Sequence, residues 1–230
     1  MHENNHWVAE TLGDRNIALI GYADLAGLDP AVRMGLPYGI SIAIALDRAI
    51  VAGISQGPAM EYYDEYCGVS RQLKEASDFL AVQIRKRGFN AESISWAKQN
   101  AEFRTPLPLK TLATKAGLGW IGRSAAFITK QYGNAIRLGG ILTDMPLVTG
   151  VPVESSSCGN CRECVTHCPG GAISGKLWDI RTDRDDLLDA RKCKATVIER
   201  GKALGITEGS CGVCLAVCPF TKKYVLPQSQ

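Results

Sequence analysis

The spacing of apolar and polar residues changes several times before residue 150, and each change marks an element. Residues 16–24 (NIALIGYAD) are apolar and compact, as in a buried strand. Residues 38–47 (YGISIAIALD) alternate isoleucine with small residues and predict a second strand. Pro58 stands where a helix can begin. Over residues 70–88, Leu73, Ala76, Leu80 and Ile84 fall on one helical face, and Gly88 stops the helix. Residues 89–96 predict a weaker strand and residues 107–116 a short helix. Residues 124–130 and 135–144 predict a hairpin turning at Gln131-Tyr132-Gly133-Asn134. Strand and helix do not alternate regularly, so the expected class is α+β with a largely antiparallel sheet.

Past residue 150 the pattern is set by cysteine. Of nine cysteines only Cys67 precedes that point. Thr149-Gly150-Val151-Pro152-Val153, followed by Ser155-Ser156-Ser157, marks a junction between a domain over residues 1–150 and one over residues 151–230. Cys158, Cys161, Cys164 and Cys168 run as C-x2-C-x2-C-x3-C, closed by Pro169. Cys211, Cys214 and Cys218 repeat the second half of that run, closed by Pro219, and Cys193 lies between. This is the bacterial two-cluster ferredoxin pattern, in which the cysteine before proline reaches across to the other cluster. The crossover rule assigns one [4Fe–4S] cluster to Cys158, Cys161, Cys164 and Cys218, and a second to Cys168, Cys193, Cys211 and Cys214. Structural zinc favours separated C-x2-C pairs without the proline ending. A disulfide framework belongs to small secreted chains. One cluster with spare cysteines is the third alternative. Cys67 is expected to be a structural residue, since free cysteine packs as a small apolar group.

The chain has 230 residues, 46% of them apolar, enough for one good core and a smaller appendage. It has no run of 18 apolar residues, so no transmembrane helix and no membrane partner are expected. MHENNHWVAE lacks the basic and apolar regions of a signal peptide, and oxygen-sensitive clusters suit a cytoplasmic location. The formal charge of +3 is a poor pointer to nucleic acid, because two clusters of about −2 each leave the loaded protein near −1. Arg85, Lys86 and Arg87 fit the solvated C-terminal end of a helix.

Gly117-Leu118-Gly119-Trp120-Ile121-Gly122 matches G-x-G-x-x-G, but it follows a helix and precedes a strand. A dinucleotide fold needs the reverse, so that pyrophosphate meets a helix N-terminus. The glycines are better suited to tight backbone geometry, or to close approach of something large and flat.

Residues 110–123 (KTLATKAGLGWIGR), continuing through Arg137-Leu138-Gly139 to Leu142-Thr143-Asp144, resemble the epoxyqueuosine reductases. Leu188-Asp189-Ala190-Arg191-Lys192-Cys193, Cys211-Gly212, Cys214 and Cys218-Pro219-Phe220 resemble the same family. These are cobalamin-dependent enzymes of tRNA modification, related in cofactor arrangement to reductive dehalogenases. The resemblance covers roughly residues 105–222. It implies a nitroreductase-like, cobalamin-processing-like N-terminal domain holding a corrinoid against a C-terminal two-cluster ferredoxin domain. It places Gly117, Gly119, Trp120, Gly122, Arg123, Phe127, Leu138, Gly139, Gly140 and Ile141 near that corrinoid. Two departures stand out: Glu102-Phe103-Arg104-Thr105-Pro106 has no aspartate where the family carries its catalytic one, and the helical-repeat tail that holds tRNA has no counterpart in this sequence.

The expected function is that of an iron–sulfur oxidoreductase passing electrons through two clusters to a bound corrinoid. The cofactor then does the hard step while the protein supplies position, electron path and proton. Tyr38, Glu102 and Arg104 are candidate catalytic groups by chemistry, with Tyr62 and Tyr63 behind them. The expected partners are a low-potential donor such as ferredoxin or flavodoxin, and a small-molecule or corrinoid substrate; tRNA is not expected. The alternatives are an epoxyqueuosine reductase acting on tRNA, and an electron-transfer module without an organic cofactor or with a flavin.

Overall fold

The computed structural model describes residues 1–54, 57–95, 99–207 and 209–226. In chain order the elements are α1 (His2–Leu12), β1 (Leu19–Asp24), β2 (Tyr38–Ala45), α2 (Arg48–Ala52), α3 (Met60–Lys86), β3 (Ala91–Ser93), α4 (Leu109–Lys115), β4 (Trp120–Ile121), β5 (Phe127–Ile128) and β6 (Ile136–Thr143). They are followed by α5 (Glu163–Thr166), α6 (Arg184–Leu187), α7 (Ala190–Gly201), α8 (Val213–Ala216) and α9 (Pro219–Val225). The class is α+β, as expected.

The chain forms two compact units. One comprises residues 1–44, 69–119 and 137–153; the other comprises residues 45–68, 120–136 and 154–230. One boundary between the units falls near residue 153, but neither unit is a contiguous stretch of chain. The second unit also includes two stretches that precede it in the chain.

The first unit is built on a four-stranded sheet in the order β1-β2-β6-β3. β1 pairs antiparallel with β2, with Leu19 opposite Ala43 and Asp24 opposite Tyr38. β3 pairs antiparallel with β6, with Ala91 opposite Thr143. β2 is buried from Gly39 through Ile44, which is why isoleucine and small residues run on without a polar face. Successive residues of β6 face opposite ways. Gly139 lies against Ser77 of α3, Ile42 and Ser95, where an added Cβ would come within 2.8 Å of the Ser77 hydroxyl. Gly140 lies against Leu109 and Leu112 of α4 and against Ile94. Leu112, fully buried, joins Ala23, Leu25, Leu36, Leu107, Ala116 and Leu142 in one apolar cluster.

Several expectations shift. The helix expected over residues 70–88 starts ten residues earlier, at Met60, just past Pro58. The weak strand shrinks to Ala91–Ser93, and Trp96 lies outside the described residues. The expected hairpin of residues 124–130 with 135–144 does not form. β5 pairs with β4 instead, Trp120 opposite Ile128 and Ile121 opposite Phe127. A turn closes that pair: Ala125 N–H donates to the Gly122 carbonyl, and Gly122 N–H to the Ala126 carbonyl, each at 2.9 Å. Ala125 takes a left-handed φ of 57° to make it. β6 pairs in the four-stranded sheet, and a single bridge, Thr129 to Gly133, remains of the expected turn.

In the second unit α9 gathers separate segments. Cys218 and Pro219 open it, with proline at a position that needs no N–H. The Tyr224 hydroxyl donates to the Leu46 carbonyl at 2.9 Å, and the Tyr224 ring meets Tyr132 edge-on at 5.3 Å. The Thr221 hydroxyl donates to Asn134 Oδ1 at 2.8 Å and accepts from Asn134 N–H at 3.1 Å. Gly133 has φ 57°, and an added Cβ would sit 2.3 Å from the backbone nitrogen of Thr221, so only glycine fits. Asp47 caps α2 by accepting from Ala49 and Ile50 N–H.

Two stability outcomes follow from this packing. Leu112→Ala should cost about 2–5 kcal/mol in urea unfolding, through lost burial and a residual cavity. Gly133→Ala should cost on the order of 1–3 kcal/mol, with iron retention falling alongside stability because the displaced segment, α9, begins at Cys218.

Candidate metal centre

Eight of the nine cysteines sit on short connected elements of the second unit. Cys158 and Cys161 lie in a turn in which Cys161 N–H donates to the Cys158 carbonyl at 3.2 Å. Cys164 is on α5 and Cys168 just beyond it. Cys193 is on α7, whose N-terminus is capped by the Asp189 carboxylate accepting from Lys192 N–H. Cys211 precedes α8, Cys214 is on it, and Cys218 caps α9. None of the nine forms a disulfide.

The electrostatics show which thiols are neighbours. The Cys164 thiol is pushed up to about 11, first by burial and then by Cys158, Cys218 and Cys161. The Cys193 thiol is pushed up to about 11 by burial, then by Cys211, Cys168 and Asp189. Cys214 is raised by burial and by Cys211, Cys193, Cys164 and Cys168. Burial also raises Cys211 and Cys218, opposed at Cys211 by Val213 N–H and at Cys218 by Thr221 and Phe220 N–H. The structure thus brings together Cys158, Cys161, Cys164 and Cys218, and separately Cys168, Cys193, Cys211 and Cys214. Cys214 adjoins Cys164 of the other group.

Crowding buried thiols makes the four-thiolate state unfavourable unless a polycation sits among them. Among the described residues, no three His, Cys, Asp or Glu side chains close on a point the size of one ion. Thiolates around one zinc would be roughly 3.8 Å apart, given Zn–S bonds near 2.3 Å. Soft donors in fours, drawn from C-x2-C-x2-C-x3-C-P spacing, fit an iron–sulfur cubane. The first group lines one cavity together with Cys214 and Phe220.

The residues placed near a corrinoid are divided between the units. Gly117, Gly119 and Leu138 to Ile141 belong to the first; Trp120, Gly122, Arg123 and Phe127 belong to the second. Gly139 and Gly140 are occupied by the packing described above. An added Cβ at Gly117 would meet the Val151 carbonyl at 2.7 Å. At Gly122 it would meet Ile128 at 2.3 Å and the Cys158 sulfur at 3.4 Å. Trp120 is buried and packs edge-on against Phe220 at 5.0 Å. Phe127 is buried, and Arg123 bonds to the loops around the first cysteine group.

Tyr38 is half-buried at the head of β2. Glu102 is exposed and Arg104 half-buried, in a turn where the Asn100 side chain accepts from both backbone N–H groups. Tyr62 is buried against Tyr66, with centroids 6.2 Å apart. His167 ends α5 and meets the Glu163 carbonyl at 3.0 Å. Cys67, half-buried on α3, is outside both thiol groups. The Asn134–Thr221 pair was not legible in the sequence. Its only signal was the polar turn at residues 131–134, which has the same composition as an ordinary hairpin loop.

Residues 157–221 match the family described as the 4Fe-4S double cluster binding domain. The epoxyqueuosine reductase of Vibrio cholerae is 30% identical over 169 residues, covering 70% of this chain and 41% of that protein. The chain thus spans about two fifths of the length of this curated relative. A solved epoxyqueuosine reductase carrying an epoxyqueuosine-modified tRNA-Tyr stem loop aligns with a TM-score of 0.63 at 17% identity, over 98% of this chain and 68% of that one. A reductive dehalogenase structure, reported as suggesting a mechanism for B12-dependent dehalogenation, aligns with a TM-score of 0.68 at 18% identity, over 94% of this chain and 31% of that one. These structures share the fold. Among the described residues no helix is long and apolar enough to cross a membrane. With its paired thiol groups inside the matched region, the chain is similar to the epoxyqueuosine reductases over part of their length and carries a region that matches the 4Fe-4S double cluster binding domain.

Proposed function

We propose that the chain is an iron–sulfur reductase whose two [4Fe–4S] clusters are held by Cys158, Cys161, Cys164 and Cys218, and by Cys168, Cys193, Cys211 and Cys214. The carrying observation is the neighbour pattern of the buried thiols, in which Cys164 is surrounded by Cys158, Cys218 and Cys161, and Cys193 by Cys211 and Cys168. Each group takes ligands from both cysteine runs, so neither run completes a site alone. Cys214 has neighbours in both groups, which gives electrons a short path from one cluster to the next.

The proposed electron acceptor is a bound corrinoid, supported by the similarity to a structure described as B12-dependent. When bound, a corrinoid supplies a low-valent cobalt that carries the reducing electrons to substrate. Tyr38 and Glu102 are the proposed sources of a proton, and Arg104 is the group proposed to stabilise developing negative charge. A low-potential ferredoxin or flavodoxin is the proposed donor. One observation favours a second function, electron transfer to a partner without an organic cofactor. Protein atoms already account for the missing Cβ at Gly117, Gly122, Gly139 and Gly140.

Iron and cobalt per chain, measured after anaerobic reconstitution, incubation with cobalamin and desalting, separate the two. About eight irons and about one cobalt are expected. Eight irons without cobalt would favour electron transfer alone, and a releasable yellow chromophore would indicate flavin. Cys193→Ser should remove about four irons, whereas Cys67→Ser should leave the iron content unchanged. If both variants lose iron equally, the ligand assignment fails. Substrate assays should include small halogenated and epoxide compounds beside an epoxyqueuosine-containing stem loop.

A further inference from the structure

We propose that Arg123 is a positioning residue for the first cluster: it fixes the loop between Cys158 and Cys161 and raises the reduction potential of that cluster. The inference rests on the ligand assignment proposed above. Arg123 opens the turn between β4 and β5 and is only 8% exposed. One terminal nitrogen donates to the Gly159 carbonyl at 2.6 Å, inside the Cys158–Cys161 turn. The other donates to the Gly175 carbonyl. Its Nε is buried and has no hydrogen-bond partner. Arg123 lines the same cavity as Cys158, Cys161, Cys164 and Cys218. Glu163 also lines it but makes no ion pair with Arg123 among the described residues.

A buried guanidinium bonded only to carbonyls is unfavourable unless an anion completes its surroundings. Arginine cannot shed its proton to escape that cost. Four thiolates around a cubane carry a net charge of about −2 and supply the anion. An added electron deepens that charge. A fixed cation, with a spare N–H available to sulfur, therefore favours the reduced state.

The test is a potentiometric titration followed by electron paramagnetic resonance, on anaerobically reconstituted full-length wild type, Arg123→Gln and Arg123→Lys, each assayed for iron. In Arg123→Gln one midpoint should fall by the equivalent of at least tenfold in the reduction equilibrium, about 59 mV for one electron, while the other stays in place. Arg123→Lys keeps the charge but loses Nε–H and the planar fork, so the same midpoint should fall by less. If Arg123→Gln does not retain iron, Arg123→Lys decides: one lowered midpoint supports the inference, and unchanged or raised midpoints overturn it. Full iron in Arg123→Gln with both midpoints unmoved, or both moved equally, also overturns it. Wild type without iron defeats the ligand assignment itself, which iron analysis shows before any titration.

Discussion

The second unit depends on an electrostatic conflict among its thiols. Burial alone raises the cost of ionising Cys164, Cys193 and Cys214, and the neighbouring thiols raise it again. Thiols buried and crowded this way have no stable all-thiolate state by themselves. They gain one when iron and sulfide supply positive charge at the centre of each group, so folding of this region and cluster assembly are coupled. The surrounding features serve that arrangement. Proline ends each cysteine run, α9 starts on a thiol, and the Asn134–Thr221 pair ties the β5–β6 connection to α9.

Close approach without side chains organises the first unit. Gly139 and Gly140 sit next to each other on β6 and face opposite sides of the sheet, one toward α3 and the other toward α4. Each gives up a side chain so that a helix can pack directly against the strand backbone. Gly39 does the same on β2, where an added Cβ would lie 2.4 Å from Leu112. Glycines that resemble a ligand-binding motif in the sequence thus have internal structural work, and the same holds for Gly117 against the Val151 carbonyl.

The sequence by itself determined the double-cluster domain, because the spacing of thiols in tight turns and the proline endings are local properties that survive without the fold. It also determined the strands at residues 19–24 and 38–45 and the long amphipathic helix, whose buried Leu73, Ala76, Leu80 and Ile84 repeat at helical spacing. Tertiary structure alone decided the strand partners. Residues 124–144 carry enough strand character for a hairpin, but the Gly122–Ala125 turn closes β5 onto β4 and leaves β6 to β2 and β3. Only the fold could show that residues 45–68 and 120–136 join the cysteine-rich unit. It alone placed Arg123 against Gly159 and Gly175, which lie 36 and 52 residues away in the chain. Such contacts depend on which surfaces meet after collapse, and no local periodicity encodes that.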